Sequence, residues 1–317
     1  MAYTFEPARR ASAKPLIGLY AESGCGKTHS ALLLARGFVG PQGRIGMIET
    51  ESGRGEAYAN PQEYPDLAGP DPASNYTVLR LHDDFSPTEY GNALKAAEAA
   101  KLDALIIDSA SHEWEGPGGV LDMAAKNQEG GMKGVLVWQQ PKIKHQRDFM
   151  LKFMQTPIPL VVLCMRAKYP MEKKGNDWVR SGTLEPKQSE DILYEMFVHG
   201  WIDQQHNFHL TKSTSKSLTP VFAEGKPITL ETGRQLAAWA KGDAVPPQVA
   251  SGKKEAAVQA VKDELLEAAE GGTAPLAAAW ERLRPEQQKY LQAFYDGVAL
   301  PKAEEVDLDS TDRSNAI

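Results

Sequence analysis

The sequence predicts an α/β fold with a mainly parallel sheet, a late β-hairpin and a small helical C-terminal appendage. Three observations carry that expectation. Short apolar runs of strand length alternate with helical stretches through the first two thirds of the chain, as when crossover helices join parallel strands. The first run leads directly into a glycine-rich turn and an apolar helix. Past residue 242 the alternation stops, and "KGDAVPPQVASGKK" introduces helical periodicity alone.

The predicted strands are Leu16–Tyr20, Ile45–Ile48, Tyr76–Leu81, Ala104–Ile107 and Leu160–Cys164. Helices are expected over Lys27–Phe38, Pro87–Ala100 and His145–Met154. "YEMFVHGWID" and "NFHLTKS" form the late hairpin, and a helix over Leu230–Lys241 ends a core spanning 1–242. Residues 243–254 read as a linker and 255–300 as the helical appendage. There Val258, Val261, Leu265 and Ala269 share one helical face, closed by Gly271-Gly272. Leu276, Trp280 and Leu283 mark a second helix, and Tyr290, Leu291 and Phe294, after Pro285, a third. The acidic tail 301–317 is too polar to build a core and is expected to be disordered.

At 317 residues there is material for an ample core. A net charge of −7 excludes a global polyanion binder, so any nucleic-acid contact needs a local basic patch. Two cysteines, Cys25 and Cys164, suit a reducing cytoplasm rather than a disulfide framework. No run approaches the ~20 apolar residues of a membrane span. The segment "MAYTFEPARRASAKPL" lacks the apolar stretch of a signal peptide.

"AESGCGKTHS" (21–30) matches the end of the phosphate-loop pattern G-x-x-x-x-G-K-[ST], with Ala21 in place of the first glycine. Alanine fits wherever φ stays negative. Glu22, Ser23, Gly24, Cys25, Gly26, Lys27 and Thr28 would form the cradle for the phosphates of ATP. Glycines let successive backbone N–H groups curl toward the anion, and the following helix offers its positive end. Lys27 would reach the β- and γ-phosphates, and the Thr28 hydroxyl would ligate Mg²⁺.

Hydrolysis also needs carboxylates. "LDALIIDSAS" ends an apolar strand on Asp108, placed to orient the metal at the carboxyl edge of the sheet. "GMIETESGRG" puts Glu49, Thr50 and Glu51 at the end of the second strand, where Glu51 can polarise water and Glu49 is the other option. The histidines suggest no metal site: His206 and His209 would face opposite sides of a strand, and His112 is expected to make a local hydrogen bond.

The strand ending "IETE" and the later "IIDSAS" resemble the RecA/RadA recombinase core. "DSASHEWEGPGG", "WQQPK" and "LTKS" further resemble a phage ATPase family that includes RecA-like single-strand annealing proteins. The resemblance covers about residues 14–242. It implies a RecA-like P-loop NTPase core, ATP and Mg²⁺ as cofactors, Glu51 as catalytic glutamate and Asp108 as the Mg²⁺-orienting aspartate. It also implies single-stranded DNA as a partner, a homo-oligomeric ring or filament, and a single-strand-binding protein as a further partner. The location would be cytoplasmic, in the host if the chain is phage-encoded. Where RecA-type proteins carry an Asn-Gln pair to sense the γ-phosphate, this chain has Met165 and Arg166, so Arg166 is a candidate to donate to phosphate or to contact DNA. The large recombinase domains have no counterpart here, which weighs against full strand exchange.

In RecA-like proteins, loops after the Asp-bearing strand and the next strand line the DNA path. Over 126–182 this chain carries eleven Lys and Arg against four Asp and Glu, a local +7. Candidate DNA contacts are Lys133, Lys142, Lys144, Arg147, Lys168, Lys173, Lys174 and Arg180, with Trp178 as a stacking platform. Glycines 116, 118, 119, 130, 131 and 134 suggest a mobile loop that orders on binding. Lys212 in "LTKS" is the candidate cation supplied to a neighbouring subunit, and Phe5 and Ala8 resemble a Phe-x-x-Ala docking plug. Two other functions share these features: a helicase-like or helicase-loader ATPase of phage replication, and a nucleotide-dependent assembly protein with little turnover.

Overall fold

The computed structural model describes residues 13–174, 177–242, 261–284, 288, 291–292, 294–303 and 306–307. Phe5, Ala8 and the expected linker 243–254 lie outside the described residues, as do the side chains of Glu172 and Lys174. The chain divides into two compact units, Met1–Val245 and Pro246–Ile317.

Unit one is built on strands β1 (Leu16–Ala21), β2 (Ile45–Glu49), β3 (Thr77–Arg80), β4 (Ala104–Asp108), β5 (Leu160–Lys168), β9 (Val198–Ile202) and β10 (Phe208–Ser213). Their order across the sheet is β10-β9-β1-β5-β4-β2-β3. Every neighbouring pair is parallel except β9 and β10, the late hairpin. The short β8 (Glu185–Pro186) adds to the end of β5, and β6 (Met171–Lys174) with β7 (Asp177–Arg180) forms a separate two-stranded hairpin.

All residues of β1, β2 and β4 are buried, which explains why they read as continuous apolar runs rather than alternating ones. The pleat still sorts them. Ile17, Leu19, Ala104 and Ile106 face α1 (Lys27–Val39) and α8 (Leu230–Lys241), while Leu16, Tyr20, Leu105 and Ile107 pack with Tyr90 and Phe149 on the other face. Tyr90 belongs to α2 (Pro87–Ala99), which starts on Pro87 with the Ser86 hydroxyl capping Glu89 N–H.

Helices α1 and α8 touch through glycines. A Cβ on Gly37 would sit 2.0 Å from the Leu230 carbonyl oxygen, and one on Gly233 2.3 Å from that of Leu34. Backbone cannot yield as a flexible side chain can, so Gly37→Ala must push the helices apart. The expected cost is about 1–3 kcal/mol, read as a lower thermal midpoint. A midpoint equal to wild type would contradict this contact.

The expected mobile loop after β4 is instead mostly helical. Helices α3 (Ser111–Glu115), α4 (Val120–Glu129) and α5 (Leu136–Lys144) are followed by a π-helical turn (His145–Met150) and α6 (Leu151–Gln155). The single helix expected over His145–Met154 is thus a π turn plus α6, following directly on α5. Local bonds hold the glycine-rich stretch: the Asp122 carboxylate accepts from Gly118 N–H (2.8 Å) and pairs with Lys126 (2.8 Å). The fully buried Glu113 carboxylate meets His145 Nδ1 at 2.9 and 3.1 Å and accepts from Gln188 Nε2 at 3.2 Å. Burial pushes the Glu113 carboxyl up from its ordinary pKa. Glycine content alone could not reveal these anchors.

In unit two, a helix over 261–269 (α9) and α10 (Thr273–Glu281) pack Leu265, Ala269, Leu276 and Ala279 together with Leu291, Ala299 and Ala303. The tail expected to be disordered begins as structure. Residues 301–303 and 306–307 are helical, and Asp307 accepts from Thr273 N–H (3.0 Å) and Oγ1 (2.6 Å). These bonds give an acidic residue a packed role that composition does not show. Residues 304–305 and 308–317 lie outside the described residues. Among the described residues no helix is long and apolar enough to cross a membrane.

Candidate functional site

The turn between β1 and α1 is built as its glycines require. Gly24 (φ 84°) and Gly26 (φ 83°) occupy the left-handed region, Gly26 caps α1, and the first turn of that helix holds no acidic residue. The positive end of the helix is therefore unopposed by its own side chains. Lys27 Nζ donates to the carbonyls of Ala21 (3.3 Å) and Glu22 (3.0 Å), which folds the ammonium back over the loop. The cleft above has a volume of about 620 Å³, and Gly24, Lys27, Thr28, Glu51, Asp108 and Arg166 all line it. Cys25 is buried and faces the core.

Register explains the convergence. Across the sheet Ala21 lies opposite Arg166, Asp108 opposite Cys164, and Glu49 opposite Asp108. The carboxyl ends of β1, β5, β4 and β2 thus share one edge, the edge at which parallel sheets bind ligands. Thr28 Oγ1 donates to Asp108 Oδ2 at 2.5 Å. Asp108 is 4% exposed, and burial, then the nearby Glu51 and Glu49, raises its pKa to about 6 against the pull of Thr28 and Lys27. A buried carboxylate in that condition, paired with a hydroxyl, is a donor set that suits a hard divalent cation such as Mg²⁺.

The two candidate glutamates have separate tasks. Glu49 is fully buried, and its oxygens accept from the N–H groups of Glu51 (2.7 Å) and Gly53 (3.1 Å). Its carboxylate is spent on shaping the turn after β2. Glu51 faces the cleft, accepts from Arg166 Nε at 3.0 Å and lies 3.9 Å from Arg54. Arg166 also lies 3.9 Å from Glu115. Thr50 Oγ1 accepts from Ser109 N–H (2.8 Å) and bonds His112 Nδ1 (2.8 Å), tying β2 to the turn after Asp108.

The candidate DNA residues fall into two groups. Lys142 and Lys144 lie on α5, Arg147 on the π turn, and Lys133 in the turn before α5. The β6–β7 hairpin carries Lys173, Lys174, Trp178 and Arg180, with Lys173 opposite Trp178 in the register. Trp178 is 64% exposed. Lys168 ends β5 opposite Glu185. Not every charge is free: Arg147 pairs with Asp148 (2.8 Å), and Arg180 pairs with Glu22 (3.2 Å) while covering the Tyr169 ring at 4.1 Å. The Lys212 ammonium donates to the carbonyls of Leu193 (3.0 Å) and Tyr194 (2.5 Å) in the last turn of α7 (Glu190–Glu195), a helix end of this same chain.

Two features escape sequence reasoning. His29 stacks on Tyr58 (ring centroids 5.2 Å apart), and both line the cleft beside Thr28. His206 sits in the β9–β10 turn, not on a strand, and bonds the Cys25 carbonyl. The Asp203-to-Asn207 spacing signals a turn, but nothing in it points to a loop some 180 positions earlier.

A mainly parallel sheet with one strand between the phosphate-loop strand and the Asp108 strand, ending in an antiparallel hairpin, is a mixed α/β fold consistent with the RecA-like core that the sequence predicts. No protein-family model matches the chain, and no curated protein matches it. Among solved structures it is similar to the RadB recombinase, at 14% identity and a TM-score of 0.41 over 69% of this chain and 89% of that one. It is also similar to an ATPase from the type III secretion system of pathogenic bacteria, at 14% identity and a TM-score of 0.35 over 64% of this chain and 61% of that one.

Proposed function

We propose that the protein binds ATP with Mg²⁺ and hydrolyses it, and acts as a RecA-like phage recombination protein that binds single-stranded DNA and promotes annealing. The observation that carries the first half is the meeting of Lys27, Thr28, Asp108 and Glu51 in one cleft at the carboxyl edge of the sheet. Thr28 and Asp108 would hold Mg²⁺, which when bound neutralises charge on the phosphate oxygens. Lys27 stabilises the same charge from the loop. Glu51 takes a proton from water as the water oxygen bonds to the γ-phosphorus. The bond from that phosphorus to the β–γ bridging oxygen breaks, and ADP leaves with inorganic phosphate. Arg166, which donates to Glu51, would turn to the phosphate oxygens when nucleotide is bound, at the position where RecA-type proteins carry the Asn-Gln pair that senses the γ-phosphate.

The DNA half rests on the β6–β7 hairpin, where an exposed tryptophan faces a lysine across the strands, and on the lysines of α5. Stacking and backbone neutralisation together define a single-strand surface. The phage and annealing roles rest on the resemblance of "DSASHEWEGPGG" and "WQQPK", and oligomerisation on the RecA-like core. Turnover measured with and without added single-stranded DNA tests the whole reading, and stimulation is expected.

Binding itself is tested by anisotropy of a labelled oligonucleotide across a salt series. Each lost phosphate contact should lower the log–log slope by about 0.7, so Lys173→Glu should reduce both affinity and slope. Trp178→Ala should cost roughly 1–3 kcal/mol and leave the slope unchanged. No binding at low salt, with turnover intact, would transfer the protein to the assembly-ATPase class.

A further inference from the structure

The hairpin turn between β9 and β10 lies directly on the phosphate loop. His206 Nδ1 is 3.0 Å from the Cys25 carbonyl oxygen, and a Cβ added to Gly26 would meet that same nitrogen at 2.9 Å. A carbonyl only accepts, so Nδ1 carries the proton and donates. His206 holds φ 66°, a left-handed conformation that His, Asn and Asp enter more readily than other side chains. The turn around it is fixed. Asp203 Oδ1 accepts from Gln205 N–H (2.9 Å) and Asn207 N–H (2.8 Å), and the Asp203 carbonyl accepts from His206 N–H (3.1 Å). Asp203 Oδ2 meets His209 Nε2 at 2.9 Å, and His209 Nδ1 meets Glu224 at 2.7 Å. The imidazole is therefore presented from a braced platform.

A trans peptide sends its C=O and N–H in opposite directions. Holding the Cys25 carbonyl toward His206 turns the Gly26 N–H the other way. Gly26 needs help here, because a left-handed glycine is free to rotate into several other conformations. We infer that His206 is a positioning residue for the phosphate cradle: by fixing the Cys25–Gly26 peptide, it holds the Gly26 N–H in readiness to donate to a nucleotide phosphate. The inference rests on the ATP-binding reading above and adds to it a residue 181 positions along the chain from Cys25.

The test is the dissociation constant for Mg²⁺·ADP and for inorganic tripolyphosphate, by calorimetry, on the full chain. Wild type is compared with His206→Leu, His206→Asn and His206→Gln, and each apo thermal midpoint is recorded. His206→Leu should bind both ligands about tenfold more weakly, one hydrogen bond's worth. His206→Asn should stay within about twofold of wild type, because its amide nitrogen falls where Nδ1 was and Asn accepts the left-handed backbone. His206→Gln, one bond longer, should behave like His206→Leu. Equal losses for ADP and tripolyphosphate place the effect on the phosphates. A loss confined to ADP would overturn the inference in favour of a base contact. Wild-type binding by His206→Leu, or failure of His206→Asn at an unchanged midpoint, would overturn it outright. A wild-type protein that binds neither ligand overturns the ATP reading itself, a result distinct from either.

Discussion

Glu51→Gln is expected to bind Mg²⁺·ATP with wild-type affinity and to hydrolyse it at least about a hundredfold more slowly, within the range general-base removal produces. The amide is isosteric and still accepts from Arg166, which holds Glu51 at 3.0 Å, so the cleft keeps its shape. What disappears is a group able to take a proton. Lys27→Ala should instead lose binding and turnover together, because the ammonium favours the phosphate charge in the ground and transition states alike. Glu49 provides the contrast. Its carboxylate braces Glu51 N–H and Gly53 N–H from inside the core, so its task is to hold the turn on which Glu51 stands. Single-turnover hydrolysis beside nucleotide titration separates these cases. Unchanged hydrolysis in Glu51→Gln would remove Glu51 as the base.

The parts of this fold that sequence shows well are those in which a signal is local or periodic. β1, the glycine turn and α1 are contiguous, so the cradle is legible as a string of residues. Strands β2, β4 and β5 are legible because burial on both faces demands an unbroken apolar run. The position of Asp108 is legible because it ends such a run, and that of Glu51 because it follows one by two residues. Other features depend on partners distant in sequence. Glu113 looks like one more acid in "SHEWE" until His145 and Gln188 close around it. These bonds tie α3 to the start of the π turn and to the segment before α7, long-range contacts that a run of glycines does not disclose. Charge counting has a related limit. Arg147, Arg180 and Lys126 add to the local +7, yet each is paired with a carboxylate, and exposed pairs of this kind contribute little stability while reducing the charge offered to a phosphate. Lys212 likewise donates to carbonyls nearly twenty residues away, partners that its place in "LTKS" does not disclose.

Asp108→Asn should make the metal-free protein more stable and abolish Mg²⁺-dependent turnover. Burial raises the Asp108 pKa from 3.8 to about 6, Thr28 and Lys27 compensating in part and Glu51 and Glu49 adding to the rise. A carboxyl whose folded pKa lies above its unfolded value binds more protons when folded between those two values. Stability therefore falls as pH rises from about 4 to about 6, and the full penalty persists at pH 8. That interval corresponds to roughly 3 kcal/mol. The carboxamide has no charge to desolvate, and its oxygen still accepts from Thr28 Oγ1. The variant should exceed wild type by about 1–3 kcal/mol at pH 8 in chelator, and the gap should close near pH 4. Denaturant melts of both proteins across that range measure it. A gap that is absent at pH 8, or that widens as the solution is acidified, would show that Asp108 is not held against its own ionisation. A cation bound beside Asp108 would offset this buried charge: for the wild type, added Mg²⁺ with nucleotide should recover stability at pH 8, and for the variant the gain should be smaller.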